Sequence, residues 1–147
     1  MGIFTSMEIS ASGLTAQRLR MDVISNNIAN VNTTRTENGE PYRRKRVIFQ
    51  EKSPNVSFKH IFDNSLLKAA GNGVRVTAIE EDPSPFKLVY DPSHPDADEN
   101  GYVRMPNVNI VTEMVDMISA TRSYEANVTA INAAKSMISK ALEIGRA

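Results

Sequence analysis

The sequence predicts an α+β protein: long N- and C-terminal helices pairing as a coiled coil, with a small mainly-β middle domain inserted between them. Two observations predict it. Apolar residues recur every seventh position near both ends of the chain: Met7, Leu14, Met21 and Ile28 at one, Ile110, Met117, Tyr124, Ile131 and Ile138 at the other. That is the repeat of a helix with a buried stripe. Between them fall all seven prolines, six of them from Pro41 to Pro95, and the turn dipeptides Asn38-Gly39, Asn72-Gly73 and Asn100-Gly101. A stretch that turns so often cannot be one long helix. The division that follows is residues 1–32 with 108–147 as a discontinuous helical unit, and 33–107 as a β-rich outer unit.

The first helix is expected from about Thr5 to Ile28, with Ile24 and Val31 flanking the stripe and Arg18, Arg20 and Asp22 lying off it. At ~1.5 Å per residue it would be roughly 35 Å long. Gly13 costs a helix about 1 kcal/mol relative to alanine, which hints at close packing there. The helix runs into "MDVISNNIANVNTT", with Asn26, Asn27, Asn30 and Asn32 at its edge. Asparagine amides compete with the backbone for hydrogen bonds, so they suit a helix end and a turn better than a helix interior.

In the middle, "YRRKRVIFQ" (42–50), "GVRVTAIEE" (73–81) and "FKLVY" (86–90) read as three strands. "SFKHIFDNSLLKAAGNG" between the first two reads as part helix, part loop. The C-terminal helix is the strongest signal, nearly five heptads at period 3.5. Met114, Val128 and Leu142 stand four positions after the main row, with Thr121 and Lys135 as polar exceptions. Asn109 suits an N-cap, Lys140 the C-terminal end of the helix dipole, and Gly145 a stop. The helix should run about 50 Å. Ala120, Asn127, Ala134 and Ala141 form a second row, small enough for another helix to approach. The pattern is a two-helix unit made to pack into something larger.

Charge and composition exclude several functions. Lys plus Arg and Asp plus Glu number 17 each, and a balanced chain argues against a nucleic-acid binder. The charges are split: residues 1–50 hold seven basic and four acidic side chains, residues 80–101 one and seven. Arg43, Arg44, Lys45 and Arg46 on one side and Asp91, Asp96, Asp98 and Glu99 on the other are candidates for inter-subunit charges. With no cysteine there is no disulfide, thiolate metal site or thiol nucleophile. No apolar run approaches the ~18 residues of a membrane span, and the N-terminus lacks the features of a secretory signal.

Other motifs carry bland readings. "DADENG" (96–101) matches the start of a calcium loop, but the twelfth position is Asn107 where a bidentate glutamate is needed; an acidic turn is the default. "MGIFTS" fits a myristoylation pattern that chance also produces, and stable anchoring needs a second signal. His60 and His94 lack a second ligand at metal-binding spacing. Nothing resembles a nucleophile elbow, a phosphate-cradling loop or a triad. No catalytic residue, cofactor or metal site is expected, and the chain is not expected to be an enzyme.

"SNNIANVNT" after "ASGLTAQRLRMDVI" resembles the common N-terminal motif of bacterial flagellar axial proteins. "GVRV…DPSPFKLVYDPSHPDA…GYVRMPNVN", followed by "EMVDMISATRSYEANVTAINAAKSM", narrows the resemblance to the proximal-rod proteins of the flagellar basal body. It covers nearly the whole chain. One departure is Ile110, where the family pattern has proline after Asn109. The resemblance implies a structural subunit that self-assembles with its own copies and other rod proteins into the drive shaft carrying torque from motor to hook. It further implies contact with rod-base and inner-membrane ring proteins, and export by the type III apparatus without a cleaved signal peptide to the rod in the periplasmic space. The paired terminal helices would line the tubular core. Ser25, Asn26, Asn27, Ile28, Ala29 and Asn30 become an assembly motif, whose amides would cap the helix, turn the chain and bond to neighbours. The alternative from the residues alone is a membrane-peripheral coiled-coil adaptor, resting on "MGIFTS" and "YRRKR".

Overall fold

A computed structural model of the chain describes residues 3–52 and 72–145; His60 and most of the 57–73 stretch lie outside the described residues. Among the described residues six elements follow in chain order: α1 (Ile3–Ala29), β1 (Lys45–Glu51), β2 (Val74–Glu81), β3 (Lys87–Tyr90), β4 (Tyr102–Met105) and α2 (Ile110–Ile144). The architecture is α+β, two long helices flanking two small antiparallel sheets, β1–β2 and β3–β4.

α1 has 27 residues and α2 has 35. They run antiparallel: Gly13 lies against Asn127, Arg20 pairs with Asp116, and Asn27 bonds to Glu113. The packing line differs from the expected one. Met117, Tyr124, Ile131 and Ile138 are half-buried, as are Met7, Leu14, Met21 and Ile28, whereas Ile110 is 45% exposed. The companion row is the small-residue row three positions on: Glu113, Ala120 and Ala134 are buried and Asn127 is half-buried, with Ala141 exposed, while four positions on Val128 is half-buried and Met114 and Leu142 stand in solvent. The reason is the closeness of the helices. A Cβ placed on Gly13 would sit 3.0 Å from the Asn127 amide, so only small side chains fit the contact line and larger ones flank it.

Both ends of α2 follow from local chemistry. Asn109 has extended backbone angles, and its side-chain oxygen accepts from the Val111 N–H, as an N-cap does. Gly145 closes the other end, donating its N–H to Ala141 O at 3.2 Å without a left-handed turn. At the end of α1, the Asn30 N–H still reaches Asn26 O, after which Val31 to Ile28 and Thr33 to Asn30 bonds tighten into a turn.

The β1–β2 hairpin packs one face on α1, with Val47, Phe49, Val76 and Ala78 half-buried. A register shift between Ile48 and Phe49 marks a bulge. Ser12 on α1 clamps the start of β2: its hydroxyl donates to Ile9 O at 2.6 Å and accepts from the Val74 N–H at 3.1 Å. The sheet β3–β4 adds a fourth strand beyond the three expected. Its four residues, "YVRM", sit between Gly101 and Pro106, too short for a period-two signal. Val103 and Val108 are nearly sealed from water, whereas Leu88 and Tyr90 are each 65% exposed.

Candidate assembly site

The asparagine-rich end of α1 meets the first turn of α2 and the start of β1, and there the motif divides. Asn27 is 1% exposed. Its amide nitrogen donates to Lys45 O and to Glu113 Oε2, both at 2.9 Å. Its amide oxygen accepts from the Tyr42 hydroxyl and the Lys45 N–H, also at 2.9 Å. Two donors and two lone pairs are all used, which is the full capacity of the side chain. Asn27 therefore acts within the chain and offers nothing to a neighbour.

Ser25 and Asn26 face solvent instead. Asn30 caps the end of α1 from its own helix: its amide nitrogen donates to Asn26 O at 2.9 Å and to Asn26 Oδ1 at 2.6 Å. Its oxygen accepts from the Thr33 hydroxyl at 3.2 Å. Ile28 is half-buried and Ala29 exposed.

Glu113 is fully buried, a costly place for a carboxylate unless its oxygens are matched. Both are. Arg44 Nε donates to Oε1 and Asn27 to Oε2. The same guanidinium reaches Asp116 at 3.2 Å and Asp82 at 3.6 Å, and Arg20 holds the other oxygen of Asp116 at 2.9 Å. Burial pulls the Arg44 pKa down, but the bond to Glu113 and the charges of Glu113, Asp116 and Asp82 together hold it above its ordinary value. Burial, then the charges of Glu113 and Glu81, push the Tyr42 phenol up. Asp82 is held down by the Ser84 hydroxyl and N–H, against burial, with help from Arg46 and Arg44. Asn107 extends the junction: its oxygen accepts from the Arg44 N–H at 2.8 Å, and its nitrogen donates to Asp82 O and Ser84 O at 3.1 Å.

The basic stretch is thus no uniform outer patch. Arg44 is committed inward. Arg43 lies over the Phe86 ring at 4.4 Å and donates to Asp82 O and Ser84 O. Arg46, 47% exposed with only a 3.9 Å approach to Asp82, faces out, and Lys45 is half-buried over Tyr42. That leaves too little free positive charge for the membrane-peripheral alternative's polybasic signal. On the acidic side, Asp91 accepts from Ser93 and Asp96 from the Thr34 hydroxyl, while Asp98 and Glu99 are exposed. His94 Nδ1 accepts the Asp96 N–H inside the same turn. Among the described residues, no three of His, Asp and Glu converge on a point that could hold a metal ion.

A different feature was missed in the sequence. Val111, Met114, Val115 and Ile118 are 70%, 54%, 62% and 53% exposed. Spaced i, i+3, i+4, i+7, they form one apolar face of α2 that α1 does not cover. At the far end of the helix pair, Phe4, Met137, Leu142 and Ile144 are also open. The signal was present as apolar residues all round the first turns of α2, where a two-helix pair needs only one apolar side.

Comparison with known proteins agrees in kind. Residues 7–35 match the family described as flagella basal body rod protein, and residues 99–144 match the C-terminal family of flagellar basal body rod FlgEFG proteins. The chain is 58% identical to the flagellar basal-body rod protein FlgC of Borreliella burgdorferi, over 98% of each chain. It is 57% identical to the protein of that name in Bacillus subtilis, over 99% of this chain and 100% of the relative. With that of Salmonella typhimurium the identity is 42%, over 99% and 100%.

Proposed function

The chain belongs to the FlgC family of flagellar basal-body rod proteins, and on that premise we propose that it is a structural subunit of the proximal rod. It self-assembles there with other copies and other rod proteins into the shaft that carries torque from motor to hook. Its role is to hold shape and pass load, not to turn over a substrate. Delivery by the type III export apparatus, a final place in the periplasmic stretch of the rod, and contact with rod-base and inner-membrane ring proteins belong to the same reading. So does the division into a helical core unit, 1–32 with 108–147, and an outer unit, 33–107.

The observation that carries this reading is the open apolar face Val111–Met114–Val115–Ile118 on a helix already paired along its other side. A monomer that leaves such a face in water is stabilised by covering it, at about 25 cal/mol per Å² of apolar area buried. Ser25 and Asn26 remain available to a neighbour from the motif, and Arg46, Asp98 and Glu99 from the charged stretches. In bacteria lacking their own copy of this protein, expression of the chain should restore swimming and place it in purified basal bodies. A chain that instead floats with anionic liposomes and is missing from basal bodies would sink this reading.

A further inference from the structure

The contact line between the two helices repeats itself. Ala120, Asn127 and Ala134 follow one another at seven-residue intervals, flanked by Met117, Tyr124, Ile131 and Ile138 at the same interval. Gly13 sits against Asn127. If α1 slid by one heptad, about 10 Å along the axis, Gly13 would meet Ala120 or Ala134 and apolar side chains would replace one another like for like. The apolar rows therefore do not choose among these registers; the one steric preference on the line is Asn127, which fits against Gly13 and would face Ser6 or Arg20 after a slip.

We propose that the Asn27–Glu113–Arg44 junction is a register lock, the element that selects one alignment of α1 and α2. Either slip separates Glu113 from Asn27 and from Arg44, which travels with the hairpin packed on α1. One slip brings Arg20 towards Glu113 but takes the Glu113 carboxylate from Asn27, whose amide nitrogen then loses its second acceptor. The other carries Glu113 past the end of α1, away from Asn27 and Arg44, and sets the Asn27 amide opposite Ala120, which offers it no partner. A polar group in an apolar seam selects alignment in this way because its misplacement costs far more than an apolar mismatch. The proposal concerns the chain by itself and stands apart from its role in the rod.

The chain has no cysteine, so an introduced pair reports alone. Gly13→Cys is combined with Asn127→Cys to read the native register, and with Ala120→Cys or Ala134→Cys to read the two slips. The slip reporters also carry Asn127→Ala, since a side chain at 13 would crowd that amide at 3.0 Å. Each pair is oxidised in the full-length purified chain in four backgrounds: native, Glu113→Ala, Glu113→Leu and Ile131→Ala. Only the 13/127 pair should close in the native background and in Ile131→Ala, which loosens the seam without touching the junction. In the Glu113 variants the slipped pairs should close in yields comparable with 13/127. Slipped pairs that stay silent there, that close already in the native background, or that close equally in Ile131→Ala would overturn the proposal. Loss of helical content in both Glu113 variants would overturn it too, because the junction would then be a condition of folding and not a choice between registers.

Discussion

Asn27 and Glu113 lie 86 residues apart, yet the amide of one donates to the carboxylate of the other at 2.9 Å with neither in contact with water. That bond joins the end of the first helix to the start of the last. Asn27→Ala strips four hydrogen bonds at once, two from the buried Glu113 and Tyr42 and two from the half-buried Lys45 backbone, and each unmatched buried group costs about 1–3 kcal/mol. The loss should be at least about 3 kcal/mol in denaturant unfolding of the purified chain, since some partners will find water. Ser25→Ala, two positions earlier and exposed, should stay within about 0.5 kcal/mol.

Ala120 is fully buried on the contact line, whereas Ile131 is half-buried beside it. Enlarging the small residue should therefore do more harm than shortening the large one. Ala120→Leu should cost about 3 kcal/mol by forcing the helices apart. Ile131→Ala should cost about 2 kcal/mol, the low end for an isoleucine truncation, and Lys140→Ala no more than about 0.5 kcal/mol. Thermal unfolding of the three variants gives the order.

Gly73 and Gly39 share a left-handed backbone, with φ of 84° and 78°, but not surroundings. A Cβ at 73 would overlap the Ser12 hydroxyl, while one at 39 meets nothing within 4 Å. Gly39→Ala should cost about 1 kcal/mol from backbone strain alone, and Gly73→Ala distinctly more. Ser12→Ala removes the obstructing oxygen, so the double variant Ser12→Ala/Gly73→Ala should be less destabilised than the sum of its parts. Strict additivity would mean that the clamp on α1 does not operate.

Asp82 has a depressed pKa, so its contribution to stability is present above the ordinary carboxylate range near 4 and is lost as pH falls through its lower folded value. Stability measured from pH 6 downwards should fall across that window. Because the Ser84 hydroxyl is the largest cause of the shift, Ser84→Ala should flatten the fall more than Arg46→Ala does. The reverse order would mean that charge, not the Ser84 hydrogen bonds, holds Asp82 down.

What the sequence made legible was mostly local. The seven-residue repeat and Asn109 placed α2 and its cap, because period and capping depend on neighbours within a few positions. The turn glycines 39, 73 and 101 all adopt positive φ for the same reason. Contacts between distant segments were not legible. Glu113 sits in the middle of a helical heptad pattern as an ordinary polar residue, and its partners Arg44 and Asn27 stand 69 and 86 residues away. The basic stretch misled for the same cause, since nothing near Arg44 in the chain announces that it turns inward. Gly13 and the alanines did mark the line of closest approach, but beside bulkier apolar neighbours they read as a secondary row.

The central claim is that this chain is a rod subunit joined to its neighbours through the open face of α2. Val115, 62% exposed on that face, tests it most directly. Val115→Asp should leave the purified chain's stability within about 0.5 kcal/mol, because among the described residues the side chain stays mostly open to water. In an assembled interface the same aspartate would be a buried, unpaired charge. The measurement is the subunit content of basal bodies purified from cells lacking the native protein and expressing the variant. The variant should be a stable, exported chain that is absent from the rod and does not support swimming; incorporation at the native level in swimming cells would mean that this face is not the joint between subunits.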